Sequence, residues 1–324
     1  MKQFLSRLSI FLCVCLVILF VFDIIVSSYL ANSNKCAGEI EVWNDIYEGT
    51  VESDILIYGS SRAWVHINPA ILSDSLGDSA YNFGIDGHNF WMQYLRHLEY
   101  LRYNKPPKLI IHSVDVFTLE KRGDLFNMNQ FLPFMLWNWN MYQYTSSEKG
   151  FMFFDYCIPF VRYFSQKSVI ENLDFSKNQT PYRIRGYKAR HAQWNSDFDN
   201  ARKKRKRHPI QIDSASVELY SQFIAECKQQ NITLVMVYSP EYIEGQNYVL
   251  NRDEIMAVYT SIAQKHAIPF LDYSNDSLCF DKAYFYNASH LNALGSELFT
   301  KTLAHDIQAL FLSKNCEKNI KTYE

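Results

Sequence analysis

Four short apolar runs constrain this chain more than any other feature. They lie at residues 55–58, 108–114, 232–238 and 268–271. None alternates apolar with polar, so each has the pattern of a strand buried on both faces. Residues 80–83 add a shorter strand. Between the runs, apolar residues recur at helical spacing over 90–103, 214–230, 252–266 and 293–312, and the first of these stretches stops before Pro106-Pro107. Strands alternating with helices of these lengths imply a parallel sheet whose crossover helices cover both faces. At 324 residues the chain can bury such a core, and its net charge of −2 says nothing about partners.

The first strand ends in Gly59-Ser60-Ser61-Arg62, and near the other end of the chain Asn287-Ala288-Ser289-His290 precedes the last helical stretch. A serine at the carboxyl end of the first strand lies where open α/β sheets hold ligands. A histidine distant in sequence can fold back beside it, because a nucleophile and its base are matched by geometry and not by sequence proximity. Ser61 is therefore the candidate nucleophile and His290 the candidate base. Asn287, three residues before His290, can orient the imidazole by accepting from Nδ1–H, but it brings no negative charge. Asp281 and Asp276 on the preceding loop are alternative orienting acids. The amide of Ser61, at the start of a helix, is one oxyanion donor. Asp86, His88 and Asp115 follow strands two and three, and with Arg62 they are read as residues that line the cleft. His66 and Asp54 are read as structural.

These segments resemble the SGNH (GDSL-like) hydrolase superfamily, and more closely its membrane-anchored branch linked to polysaccharide and teichoic-acid acylation. Gly59-Ser60-Ser61 matches the family's Gly-Asp-Ser turn with Ser60 in place of Asp. Tyr81-Asn82-Phe83-Gly84 matches its second block, which implies Gly84 as an oxyanion donor. Asn287-Ala288-Ser289-His290 matches its Asp-x-x-His block, with Asn at the acid position. The family's third donor, an Asn after strand three, is missing from Ile111-His112-Ser113-Val114-Asp115. The resemblance spans residues 50–315 with a long interruption. It implies a flavodoxin-like three-layer α/β/α sandwich and no metal or organic cofactor. The implied activity is acyl transfer or ester hydrolysis on an exported polysaccharide through an acyl-serine. A membrane-bound O-acyltransferase is the implied partner and a glycan the implied substrate. Hydrolase and transferase differ only in the acceptor, which sequence does not reveal. The alternative is a non-catalytic envelope protein that holds a glycan or scaffolds a partner on the same fold.

Residues 8–30 carry one formal charge, Asp23, and are long enough to span a bilayer. Lys2 and Arg7 precede them, which puts the amino terminus in the cytoplasm. The expectation is a single-pass anchor in the inner or cytoplasmic membrane with the carboxyl-terminal domain in the periplasm or outside; a cleaved signal peptide competes. Residues 1–35 are assigned to anchor and linker, with a polar linker over 31–51, and residues 36–324 to the α/β domain. Asp23 is placed near the outer interface, where a carboxylate costs little. Residues 117–209 break the strand–helix alternation, are rich in aromatics and are expected to form a mostly helical cap. They contain six consecutive cations, 202–207, which fit a solvated loop or a dock for anionic glycan or head groups. Nucleic acid is not an expected partner of an exported domain. Seven cysteines, none in a CxxC spacing, indicate neither a disulfide framework nor a zinc site.

Overall fold

A computed structural model describes residues 1–33, 36–121, 123–147, 150–164, 166, 169, 181–204 and 207–321. The chain forms two compact units. One comprises residues 1–48 and 122–182, the other residues 49–121 and 183–324.

In the larger unit, β1 (Ile55–Gly59), β2 (Ala80–Asn82), β3 (Leu109–Ser113), β4 (Thr233–Tyr238) and β5 (Phe270–Asp272) form one sheet in the order β2-β1-β3-β4-β5. Every pairing is parallel. The chain runs outward from β1 to β2 and then returns to place β3 on the other side of β1, so the order reverses beside the carboxyl end of β1. Such a reversal opens a crevice where a ligand can sit. The helices are α3 (Ser61–His66), α4 (Pro69–Leu76), α5 (Phe90–Tyr103), α9 (Asp197–Lys204), α10 (Ser214–Gln229), α11 (Ile243–Gln246), α12 (Arg252–His266) and α13 (Ala293–Lys321).

Strand periodicity divides the core between two faces. Ile55, Ile57, Ile111, Val235 and Val237 pack with Leu72 of α4 and with Phe299, Leu303 and Ile307 of α13. Tyr58 and His112 face the other way. The Tyr58 ring lies 6.1 Å from that of Phe223, and His112 lies 5.2 Å from Tyr220, both on α10. This second face is rich in aromatic rings, and several of its polar atoms are paired. His97 Nδ1 meets Tyr58 Oη at 2.9 Å, and His112 bridges Tyr220 Oη and Gln93 Oε1, each at 2.7 Å. Burial pushes both imidazoles down to about 3, so both are neutral. The larger unit is thus an α/β/α sandwich, as expected.

The smaller unit holds α1 (Lys2–Ala31), α2 (Glu39–Tyr47), α6 (Trp139–Thr145), α7 (Phe153–Cys157) and α8 (Val161–Phe164). Two expectations change here. The segment read as a polar linker forms α2, whose Ile40, Trp43 and Ile46 are fully buried. Trp43 donates to Gln130 Oε1 at 3.1 Å and packs edge-on against Phe131. Asp23 is not an inexpensive interfacial carboxylate. It is 3% exposed and binds Arg162 through both oxygens, at 2.6 and 2.8 Å. Arg162 also donates to Leu132 O and to Ser27 Oγ, and its guanidinium lies 4.8 Å from the Tyr163 ring centre. Of the residues expected to form the cap, 183–209 fall in the larger unit. In the basic run, Arg202 pairs with Glu244 at 3.0 Å, while Arg205 and Lys206 lie outside the described residues.

Candidate active site

Ser61 is placed by a turn that only glycine can make. Gly59 has φ +144°, and a Cβ there would meet Ser113 O at 2.6 Å and Ala63 Cβ at 2.8 Å. The chain therefore leaves β1 sharply and enters α3 at once. Ser60 is the N-cap: its hydroxyl accepts from the Arg62 amide at 3.3 Å. Ser61 is the first helical residue, so its amide has no acceptor within the helix.

His290 comes from the opposite end of the chain. β6 (Phe285–Asn287) pairs antiparallel with β7 (His290–Leu291) in a tight hairpin. Asn287 Oδ1 accepts from the amides of Ser289 and His290 at 3.1 and 3.0 Å. Those amides can only donate, which fixes the atom facing them as the oxygen. The same oxygen lies 2.9 Å from His290 Nδ1. Nδ1 must then carry the proton, leaving Nε2 as an acceptor 2.8 Å from Ser61 Oγ. The imidazole is thus held in the tautomer that a general base requires. Tyr286 stacks on the ring at 5.3 Å and 15°. Burial first, then the nearby cations Arg62 and Arg190, push the imidazole down to about 3. The alternative orienting acids are occupied elsewhere: Asp276 caps the amide of Leu278 and Asp281 that of Ala283, each at 2.8 Å.

Several residues expected in the cleft are found below it. Arg62 is 3% exposed and Asp115 is fully buried. Arg62 pairs with Asp115 at 3.1 Å and with Glu241 at 3.6 Å, donates to Ser239 O, and lies 4.5 Å from the Tyr238 ring centre. The Ser60 hydroxyl donates to the other Asp115 oxygen. Burial raises the Asp115 carboxyl, against the pull of Arg62 and Ser60. This ion cluster joins the carboxyl ends of β1, β3 and β4 beneath the serine. The position after β3, where the resemblance calls for an Asn donor, is given over to it. His88 is also buried, with its carbonyl accepting from Gln93 at 3.0 Å, and Asp86 is half-buried.

Gly84 departs from expectation as well. Its amide donates to Asn82 Oδ1 at 2.9 Å, and its carbonyl accepts from Arg96 and Arg183 at 3.2 and 2.9 Å. A Cβ would meet Trp64 N at 2.6 Å and Ser60 O at 2.8 Å. Glycine is needed here so that the β2–α5 loop can press against α3, and its N–H is committed to a side chain.

Sequence reasoning left His66 structural without seeing what it joins. It lies one and a half turns after Ser61 on α3. Its Nε2 accepts from the amide of Leu291, next to His290, at 3.0 Å, and its Nδ1 meets Ser239 Oγ at 2.9 Å. A neutral imidazole therefore ties the helix of the serine to the strand of the histidine, and burial, then the nearby Arg62 cation, holds its pKa well below the ordinary value. No group of three or more potential metal-ligating side chains occurs among the described residues.

No family model and no curated protein matches the chain. Among solved structures it resembles an acetyl xylan esterase, AlAXEase, at 12% identity and TM-score 0.40, over 79% of this chain and 98% of the esterase. It also resembles a GDSL-like lipase from Bacteroides thetaiotaomicron at 11% identity and TM-score 0.36, over 84% of this chain and 98% of the lipase. What this parallel sheet can do chemically rests on Ser61, His290 and Asn287.

Proposed function

We propose that this chain is a membrane-tethered serine enzyme that moves acyl groups to or from an exported polysaccharide. The observation that carries the reading is the 2.8 Å contact between Ser61 Oγ and a His290 Nε2 held as an acceptor. Ser61 Oγ attacks the acyl carbonyl as its proton passes to Nε2. The amide of Ser61 donates to the oxyanion, and collapse expels the leaving oxygen, which takes the proton from His290. Water or a sugar hydroxyl then attacks the acyl-serine, with His290 again as base. Asn287 orients the ring and offers a carbonyl dipole, but no full charge, to the imidazolium.

An uncleaved anchor is supported by the Asp23–Arg162 pair. Removing the amino-terminal helix would take away both the carboxylate and the Ser27 hydroxyl that hold Arg162. Lys2 and Arg7 favour a cytoplasmic amino terminus and a carboxyl-terminal domain in the periplasm or outside. By resemblance, a membrane-bound O-acyltransferase supplies the acyl group and a glycan receives it.

The non-catalytic reading draws on two observations: Asn287 stands where a carboxylate would serve better, and the Gly84 amide is committed to Asn82. A fluorophosphonate probe on the full-length protein separates the readings. Labelling that is lost in Ser61→Ala, together with hydrolysis of p-nitrophenyl acetate that is lost with it, is the expected result. A wild-type protein that takes no label and cleaves no ester supports the scaffold.

A further inference from the structure

The insertion in the smaller unit exposes aromatic side chains that its own core does not use. Residues 131–164 include 13 aromatics and only four formal charges, Glu148, Lys149, Asp155 and Arg162. Arg162 is buried on Asp23, and Asp155 accepts from the Met152 amide at 2.7 Å. Trp137, Trp139, Met152, Phe153, Phe154 and Phe164 are all more than half exposed. Trp139, Phe153 and Phe154 are contiguous through ring contacts: Trp139 with Tyr142 at 5.0 Å, Tyr142 with Phe153 at 5.8 Å, and Phe153 with Phe154 at 5.8 Å. Trp137 joins the same surface through its hydrogen bonds to the carbonyls of Tyr156 and Cys157.

This band meets α1 at a definite depth. Trp137 stacks on Phe20 at 5.6 Å, and Phe160 packs on Phe22 at 5.9 Å. α1 has 30 residues, about 45 Å at 1.5 Å per residue, against a hydrocarbon core of about 30 Å. Counting about 30 Å from Lys2 or from Arg7 puts the far edge of the core at about residue 22 or about residue 27. Phe20 and Phe22 lie at that edge or within about 10 Å of it, with Trp137 and Phe160 packed beside them. Indole rings at this level are amphipathic anchors of the kind membranes retain at their interfaces, and the phenyl rings beside them add apolar contact. A patch of this size facing water would be an aggregation site.

We infer that the aromatic face of residues 137–164 is seated in the lipid interface of the same bilayer that α1 crosses. The smaller unit is therefore a membrane-resting collar around the end of the anchor, with the Asp23–Arg162 pair at its centre. The partner is the lipid surface, contacted through apolar and indole groups without a requirement for anionic head groups. The inference rests on α1 being a retained span.

The test uses the full-length protein in nanodiscs of phosphatidylcholine brominated at acyl carbons 6 and 7, beside unbrominated discs. The emission of Trp137 and Trp139 is obtained as wild type minus the double variant Trp137→Phe, Trp139→Phe, which keeps the surface apolar. That difference emission should fall by at least about half in brominated discs and resist acrylamide. If it is quenched by acrylamide and not by brominated lipid, the collar is in water and the inference is overturned while the anchor stands. Alkaline carbonate extraction of membranes tests the anchor separately: a chain released into the supernatant overturns both.

Discussion

The two units each bury an arginine in almost the same way, and the differences explain what each unit does. Arg162 has a carboxylate, a backbone carbonyl, a hydroxyl and an aromatic face: Asp23, Leu132 O, Ser27 and Tyr163. Arg62 has Asp115, Ser239 O and Tyr238 in corresponding places. Around Arg162 one cation meets one anion, in a bidentate pair that fastens one helix to one insertion. Around Arg62 two carboxylates share one cation, and Ser60, beside Ser61, donates to one of them. The first site is a fastener that apolar contacts could replace. The second couples the position of Ser61 to three strand ends, and nothing apolar of the same volume could do that.

Removing one charge from each site should give the largest effects. Arg62→Ala should cost about 3–5 kcal/mol of unfolding free energy and, by displacing the start of α3, lower ester hydrolysis by about 10³-fold or more. Arg162→Ala should cost a similar amount but leave hydrolysis of a soluble ester within about threefold of wild type. If Arg162→Ala abolishes hydrolysis in a protein that still melts cooperatively, the two sites do not divide the work as described. Replacing both partners sharpens the contrast. Asp23→Leu with Arg162→Met should recover stability to within about 1–2 kcal/mol of wild type, because a buried pair is often matched by well-packed apolar groups. Asp115→Leu with Arg62→Met should not recover it, since Glu241 is left without its cation.

A pH titration tests the larger unit alone. His66, His97 and His112 are buried and lowered, the latter two to about 3. The unfolded chain binds protons at these residues below about pH 6.5 while the folded chain does not. Stability should therefore fall as pH drops from 6.5, by up to about 1.4 kcal/mol per pH unit for each histidine. A melting temperature flat between pH 6.5 and 4.5 would refute the neutral assignments. The smallest effect is expected from Asn287→Asp. The substitution keeps the acceptor and adds a charge beside Nδ1, so the His290 pKa should rise and the acidic limb of the pH–rate profile should move up with it. kcat should increase on the order of tenfold. An unchanged limb and rate would mean that Asn287 does not govern the base.

Ser61 and His290 were legible because each stands on a local signal, a strand-ending Gly-Ser-Ser and a histidine before an amphipathic helix. The sheet was legible because strands buried on both faces cannot alternate. The roles of Arg62 and Asp115 were not, because their burial exists only once β1, β3 and β4 converge. Gly84 was misjudged because a glycine required for close backbone approach looks the same in sequence as one that frees an amide. Asp23 looked inexpensive because its partner is 139 residues away. α2 looked like a linker because Glu39, Glu41, Asn44 and Asp45 are interspersed among Ile40, Val42, Trp43 and Ile46, whose helical spacing buries one face.

The 229 residues between Ser61 and His290 also set a timetable. Contacts so far apart form late, after the loop-closure cost has been met. Synthesis runs from the amino terminus, so β1 and its serine exist long before the β6–β7 hairpin. Until that hairpin docks, Ser61 has no acceptor for its proton and His66 no Leu291 amide to hold. The nascent chain therefore carries Ser61 without its imidazole partner, and the pair forms only when the β6–β7 hairpin arrives.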